Sequence, residues 1–244
     1  MKRLAIVGLL VAACGGGSSG SVDGGADALV VDGTGGGADG AGPVADGALT
    51  TASTWAVAGG LPDQLDCAPW VLNDTSEPEQ PTIETELVLE NDVNGETMFY
   101  SHSGAVLTMP ATLVVEGAVE FVSDVSEGPS RTSTHLGVTL ADDRKNFLQI
   151  REGEIFLLTA ENTVGPTAEV ATSDAVHTYR LEIVTATGAI EVFRDGTSML
   201  TGAMFASSND EQDLIYWGEA SIGAHGSSRW TAFSHNALTP IACD

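Results

Sequence analysis

The stretch His177–Thr201, HTYRLEIVTATGAIEVFRDGTSMLT, decides the fold, because it predicts three consecutive antiparallel strands joined by two glycine turns. Its first run places Tyr179, Leu181 and Ile183 on one face and charged residues on the other, as in a half-buried strand. The pair Asp195-Gly196 follows the second run and is a strong hairpin signal. Because a single hairpin is only marginally stable, the rest of the chain must supply more strands.

Strand-like segments continue on both sides of this stretch. No segment shows a sustained helical period with caps, and many short strands without helical crossovers predict an all-β sandwich or barrel. The segment before residue 82 is irregular, and we expect Trp55 and Trp70 to pin it to the core. Turns are predicted at Asn94-Gly95, Glu127-Gly128-Pro129, Glu152-Gly153, Gly165-Pro166 and GAHGSS. The predicted strands are Thr82–Glu90, Thr97–Ser103, Ala105–Met109, Ala111–Val125, Ser133–Ala141, Asn146–Ile150, Glu154–Thr159, Glu169–Thr172, Leu214–Ser221 and Arg229–His235.

The end of the chain resembles a known family. The order YRLEIVTATGAIEVFRDG, LIYWGEAS, a Gly and Ser turn, and RWTAF is similar to the last strands of concanavalin A-like jelly rolls, the group that contains laminin G-like domains, pentraxin-like domains and lectins. The resemblance covers residues 176–235. It implies an all-β, two-sheet antiparallel jelly-roll sandwich whose terminal strands lie side by side.

Residues 1–13 have the pattern of a secretory signal, in which Lys2 and Arg3 precede the apolar run LAIVGLLVAA. This run is shorter than the roughly 20 residues that span a bilayer. It ends in VAAC and here resembles the leaders of bacterial lipoproteins, which implies a lipid anchor on Cys14. Gly15 replaces the family's usual retention aspartate, which implies the outer membrane, on its periplasmic or cell-surface side. An ordinary secretory leader with an incidental cysteine is the alternative.

Residues 14–52 consist almost entirely of Gly, Ala, Ser, Asp and Thr, with loose repeats such as VDGGADA and VADGA. This composition cannot bury a core, so it predicts a disordered tether. Its Asp-Gly pairs lack the GGxGxD period of calcium-binding nonapeptides, which favours a solvated spacer. The folded domain is predicted to begin near Ser53 and to occupy residues 53–244.

The chain is strongly acidic, with 34 Asp and Glu against 9 Lys and Arg, a net charge of -25 and a pI of about 4.1. Nucleic acids and anionic membrane surfaces bind clusters of Lys and Arg, which this sequence lacks. The charge thus excludes nucleic acid as a partner. A polysaccharide or a protein of the cell envelope stays open.

Two cysteines remain beyond the leader, Cys67 near the start of the folded domain and Cys243 near its end. In a secreted chain an even number of cysteines favours a disulfide. Such a bond requires the two ends of the domain to meet, as the jelly roll implies. A pair of free or metal-binding thiols is the alternative.

Catalytic motifs are absent from the sequence. It has no Gly-x-Ser-x-Gly elbow, no His-Glu-x-x-His and no phosphate loop. Some concanavalin A-like proteins are glycoside hydrolases, which need two carboxylates about 5 to 9 Å apart. The nearest sets, none of which keeps the family's alternate spacing on one strand face, are Glu84 with Glu86 and Glu90, Glu116 with Glu120, and Glu152 with Glu154. We therefore assign no catalytic residue, and hydrolysis stays the less favoured alternative.

Carbohydrate binding needs aromatic faces for sugar rings and polar groups for hydroxyls. By shared strand faces, the candidate ligand-binding residues are Tyr100 with His102 and Trp217 with Glu219. Asp210 and Asp213 lie in an acidic loop that could hold calcium through oxygen ligands. The competing interpretation makes the aromatics core anchors and the acids a solvated loop.

These observations predict a non-enzymatic envelope lipoprotein whose lectin-like domain binds a glycan or another envelope ligand. A structural or adhesive protein with a protein partner is the alternative, ahead of a polysaccharide hydrolase.

Overall fold

The computed structural model describes residues 49–50, 52–75, 80–93, 95–207 and 212–242, all of which belong to one compact unit. Within these ranges no helix is long and apolar enough to cross a membrane. Three short 3-10 helices occur, at Val57–Gly59, Pro62–Gln64 and Gly104–Val106. The strands are β1 Leu49–Thr50, β2 Ser53–Ala56, β3 Val71–Asp74, β4 Thr82–Ile83, β5 Leu87–Asn91, β6 Met98–Ser103, β7 Thr112–Ser126, β8 Thr134–Leu140, β9 Arg144–Arg151, β10 Glu154–Ala160, β11 Thr163–Glu169, β12 His177–Val184, β13 Ala189–Arg194, β14 Thr197–Ala203, β15 Phe205–Ala206, β16 Leu214–Glu219, β17 Ala224–His235 and β18 Ile241–Ala242.

Sixteen of the described strands form two eight-stranded antiparallel sheets, as the jelly-roll expectation requires, and β1 and β18 form a separate two-stranded sheet. Sheet I has the order β11-β10-β9-β8-β16-β6-β3, with β15 paired to β9. Sheet II has the order β14-β13-β12-β7-β17-β5-β4, with β2 paired to β17. One hydrophobic cluster fills the space between them, with residues from the inner faces of both sheets.

The opening stretch forms the strands predicted for it, β12, β13 and β14. Leu181 pairs with Val192, and Val192 pairs in turn with Leu200, so the apolar positions of all three strands share the inner face. The two turns contain Gly188 at φ +71° and Gly196 at φ +76°, a backbone region that favours glycine. Alternation and turn chemistry therefore predict this part of sheet II correctly.

Five other predicted segments are wrong in detail. Ala105–Met109 is a 3-10 helix and an extended segment with a single bridge from Leu107 to Leu238, because the chain turns there between the sheets. Thr82–Glu90 bends at residues 84–86, which separate β4 from β5. Gly165-Pro166 is not a turn but lies inside β11, an edge strand, where a proline removes no ladder hydrogen bond on its open side. The predicted strand Glu169–Thr172 is absent, because Glu169 is the last residue of β11. The residues GAHGSS, predicted as a turn, lie at the start of β17.

The two ends of the described domain lie together. Strand β1 pairs with β18, and β2 pairs with the end of β17. The two-residue strand β1 lies within the range predicted as tether, ahead of Ser53. Cys67 is disulfide-bonded, but Cys243 lies outside the described residues, so the pairing of the two stays a prediction. Peptide mapping without reduction checks it: a Cys67–Cys243 cross-link is expected, and a Cys14 cross-link would contradict it.

Candidate functional site

The predicted sugar-stacking aromatics lie in the core. Trp217 and Tyr100 are paired across β16 and β6, both are fully buried, and their rings stack with centroids 5.2 Å apart. Trp217 also contacts the rings of Trp55, Trp230 and Phe233, at 5.2, 4.9 and 5.0 Å. Their burial corrects the interpretation of Tyr100 and Trp217 as a platform for sugar rings. Both side chains point from sheet I toward sheet II, and they anchor the two sheets to each other.

His102 belongs to a buried pair of imidazoles rather than to a ligand site. Its Nδ1 lies 2.8 Å from Nε2 of His235, and its Nε2 lies 3.1 Å from the Ala68 carbonyl. The amide of Ala237 donates to Nδ1 of His235, so His235 carries its proton on Nε2 and donates it to His102, which donates to Ala68. Both rings are neutral in this chain of hydrogen bonds. Burial lowers the pKa of His235 to about 3 and also lowers that of His102.

Glu219 is a buried acid between the sheets and does not reach a surface ligand. Its Oε1 accepts hydrogen bonds from the hydroxyls of Thr134, at 3.1 Å, and of Ser228, while Oε2 has no hydrogen-bond partner among the described residues. Burial raises the pKa of Glu219 to about 7, and the nearby charge of Asp124 adds to the effect. The side chain is thus a buried acid that titrates close to neutral pH.

The predicted calcium loop is only partly described, because Asp210 lies outside the described residues. Asp213 accepts a hydrogen bond from the Ala141 amide at 2.9 Å, and its carbonyl accepts one from Gly104. Within the described part of the chain, no group of three or more His, Cys, Asp or Glu side chains is placed to hold a metal ion. Asp213 thus links the start of β16 to the β8–β9 turn through this hydrogen bond to Ala141.

The acids considered for hydrolysis are divided between the two sheets. Glu86 and Glu120 lie on the outer side of sheet II, within 3.9 and 3.6 Å of Arg229. Glu154 lies on β10 of sheet I, in an ion pair with Arg151. These carboxylates take part in surface ion pairs.

A pocket of about 280 Å³ lies on the outer face of sheet I, and we call it the outer-face pocket. Its floor is formed by strands β8, β9 and β16, and its rim by the segments before β8, after β10 and after β16. Strand β8 is buried along its whole length, because side chains also cover its outer face. Its lining includes the side chains of Arg131, His135, Phe147, Gln149, Glu161 and Tyr216.

Aromatic side chains form a row across this face. Neighbouring ring centroids are 5.6 Å apart for Phe99 and Tyr216, 6.4 Å for Tyr216 and Phe147, and 6.2 Å for Phe147 and Phe205. Tyr216 and Phe147 are half-buried and line the pocket. Gly137 lies between them in the sheet, and a Cβ on it would come within 2.0 to 2.5 Å of the Tyr216 ring. The glycine therefore lets the tyrosine ring lie flat against the sheet.

Two buried polar side chains face the same pocket. His135 and Gln149 are cross-strand partners on β8 and β9, and they are 6 % and 2 % exposed. Within the described residues, neither Nε2 of His135 nor Oε1 of Gln149 has a partner at hydrogen-bond geometry, although the Gln149 side chain is close enough to oppose the fall in the pKa of His135. Nε2 of Gln149 donates to the Ser130 carbonyl at 3.0 Å. Burial lowers the pKa of His135 to about 4, so the ring is neutral at neutral pH. A buried polar atom without a partner costs about 1–3 kcal/mol, which a ligand hydroxyl placed there would recover.

The rim carries charge. Arg131 donates from Nε to Oδ1 of Asn162 at 3.3 Å. Glu161 forms an ion pair of 2.8 Å with Lys145. The pocket as a whole thus offers aromatic faces, buried polar atoms and a guanidinium group.

The sequence prediction missed the row of outer-face aromatics by one residue on β16 and on β6. Tyr216 precedes the chosen Trp217, and Phe99 precedes the chosen Tyr100. Both faces of β6 and β16 carry aromatic residues, so the alternation of residues along each strand does not indicate which face points toward the core. The signal that could have found the site is Gly137 in the middle of an apolar strand, which indicates that something lies close over the backbone.

Comparison with protein-family models and with curated proteins finds no match. Solved structures do match. The Crh5 transglycosylase in complex with NAG aligns with a TM-score of 0.51 and 10% identity, over 81% of this chain and 88% of that one. The potassium-bound Emp46p carbohydrate recognition domain gives 0.45 and 11%, over 74% and 97%, and a Bacillus licheniformis beta-glucanase gives 0.43 and 8%, over 75% and 97%.

At these identities the likeness concerns the fold. The chain is an all-β protein whose two antiparallel sheets form a jelly-roll sandwich, and its likeness to the Crh5 transglycosylase is a likeness of fold. The function of the outer-face pocket therefore has to be inferred from the residues that line it in this chain.

Proposed function

We propose that this protein is a lipid-anchored protein of the bacterial envelope whose jelly-roll domain binds a saccharide in the outer-face pocket. The observation that carries the proposal is the combination of half-exposed aromatic rings with two buried polar atoms that lack partners. A sugar ring presents an apolar face of C–H groups and an edge of hydroxyls, and this pocket presents the complement of both. The fold shared with the Crh5 transglycosylase agrees with the proposal and does not carry it.

Tyr216 and Phe147 supply the apolar contacts. Both rings are held by the aromatic row, and rigid rings lose little conformational entropy on binding. The neutral His135 and the amide of Gln149 supply hydrogen bonds at the pocket floor. Because these groups are buried and fixed on paired strands, they favour a ligand whose hydroxyls match their positions over a ligand that is only polar.

Binding without cleavage is the better supported reading of the pocket chemistry. Most glycosidases use two carboxylates on either side of the scissile bond. Among the described lining residues, Glu161 is the one carboxylate, and it is held by Lys145. Release of reducing sugar from a polysaccharide panel would overturn this part of the proposal.

The first prediction concerns the tyrosine ring. Tyr216→Ala is expected to weaken saccharide binding about tenfold or more, because it removes a central stacking surface. Gly137→Ala is expected to do the same with the tyrosine retained, since the added Cβ displaces the ring. A glycan array followed by calorimetry on the hits measures both. The matched control is Phe193→Ala, a half-buried aromatic on the outer face of sheet II, which should bind like the wild type. Equal loss in the control, or none in the two pocket variants, would contradict the assignment.

The second prediction concerns the anchor, which the lipobox residues before Cys14 support. In a bacterial host fed a radiolabelled fatty acid, the wild-type chain is expected to carry the label and to sediment with the outer membrane. Cys14→Ser should lose both properties, because the thiol is the acceptor. Cys67→Ser is the matched control and should stay labelled. An unlabelled, freely secreted wild-type chain would show instead that the leader is an ordinary secretory signal.

A further inference from the structure

Resting on the proposed function, we propose that the saccharide taken by the outer-face pocket is acidic, with a carboxylate or sulfate group that pairs with Arg131. The pocket then recognises three parts of one ligand: a ring face by the aromatics, hydroxyls by the buried polar atoms, and a negative charge at the rim.

The position of Arg131 is set by its surroundings. The side chain lies against the bare backbone of Gly223, where a Cβ would come within 1.8 Å of Nη1 and 2.7 Å of Cδ. Its Nε donates a hydrogen bond to Asn162, so the terminal nitrogens of the guanidinium group point away from Asn162. The side chain is 36% exposed and lines the pocket.

The charge of Arg131 is poorly compensated within the described part of the chain. The nearest carboxylate oxygen belongs to Glu127, at 4.0 Å, and that side chain is 62% exposed. An ion pair this long and this solvated contributes little. Glu161, which also lines the pocket, lies 2.8 Å from Lys145 and is neutralised by it. The described lining holds one cation, Arg131, and one carboxylate, Glu161, and of these two Arg131 is the one whose ion pair is long and solvated.

An arginine suits an anionic sugar better than a neutral one. The guanidinium fork donates two parallel hydrogen bonds to a carboxylate, and such charge-assisted bonds are about twice as strong as neutral ones. The acidic surface repels anions at long range, so the preference has to come from contacts within the pocket. At 0.15 M salt that long-range repulsion is screened beyond about 8 Å.

The test uses matched oligosaccharides that differ at carbon 6 alone. Neutral β-1,4-, β-1,3- and α-1,4-glucan oligomers are titrated calorimetrically into the full-length protein at 0.15 M salt, beside the same oligomers with carbon 6 oxidised to a carboxylate or sulfated. We expect the oxidised or sulfated member of a binding series to bind at least about tenfold more tightly than its neutral parent. Whichever modification gives the larger gain identifies the anionic group.

Variants of Arg131 assign the effect to this residue. Arg131→Gln is expected to remove the tenfold preference for the acidic member over its neutral parent, with an unaltered melting temperature. Arg131→Lys should keep part of the preference, since it keeps the charge and loses the fork. Neutral oligomers that bind as tightly as acidic ones, or a preference that survives in Arg131→Gln, would overturn the inference alone. No binding in any series, neutral or acidic, would overturn the proposed saccharide site as well.

Discussion

Replacement of Trp217 by alanine is expected to lower the free energy of unfolding by about 3–5 kcal/mol, the usual cost of removing a large buried aromatic side chain. Trp217 is fully buried and contacts the rings of five aromatic residues from both sheets: Trp55, Trp70, Tyr100, Trp230 and Phe233. The cavity left by alanine lies where the sheets meet, so little of it can close. Urea unfolding followed by circular dichroism measures the change.

The same variant separates two interpretations of this residue. If Trp217 were a sugar platform, alanine would abolish binding and barely change stability. Trp217→Phe is the matched control, and we expect it to cost much less, because the ring contacts are largely kept and the indole N–H, which has no partner, is removed. A loss below about 1 kcal/mol in Trp217→Ala would contradict the packing described here.

Replacement of Glu219 by glutamine is expected to stabilise the protein above neutral pH and to leave it nearly unchanged in acid. The folded-state pKa of Glu219 is about 7, against an ordinary value of 4.5. Between these values the folded state holds a proton that the unfolded state has lost, so this group's contribution to stability is complete below pH 4.5 and is lost as the pH rises through 7. The difference in pKa corresponds to a loss on the order of 3 kcal/mol. Glutamine resembles the protonated acid at every pH.

The quantity to measure is the difference in unfolding free energy between Glu219→Gln and the wild type from pH 4 to pH 8. We expect it to grow between pH 4.5 and 7 and then to level off. The buried histidines, whose pKa values of about 4 and 3 for His135 and His235 are lowered by burial, act in the opposite sense below pH 6.5. They do so equally in both proteins and cancel. A difference that does not vary with pH would show that Glu219 is ionised in the fold.

The parts of the fold that sequence patterns predict correctly are those where one strand face is apolar and the other charged. Strands β12, β13 and β7 are of this kind, and their bounds differ from the predicted ones by only a few residues. The start of β17 is different. A Cβ at Gly226 would come within 2.1 Å of the Ser123 carbonyl, so glycine and serine stand there because two strands approach closely. In the sequence this small-residue run has the appearance of a turn.

The site was harder to predict, because its residues become neighbours only through sheet pairing. His135, Gln149 and Tyr216 are far apart in the sequence and meet because β8 lies between β9 and β16. Conversely, Trp217 and Glu219 have the composition of a binding site and lie between the sheets. A buried glutamate next to a tryptophan gives no signal in the sequence that distinguishes it from an exposed one.

The most direct test of the central proposal is a crystal structure of the protein with the tightest-binding saccharide from the array. The account predicts a sugar ring against Tyr216 and Phe147, with hydroxyls within hydrogen-bond distance of Nε2 of His135 and Oε1 of Gln149. A saccharide bound on sheet II, or at one end of the sandwich with the outer-face pocket unchanged, would contradict it.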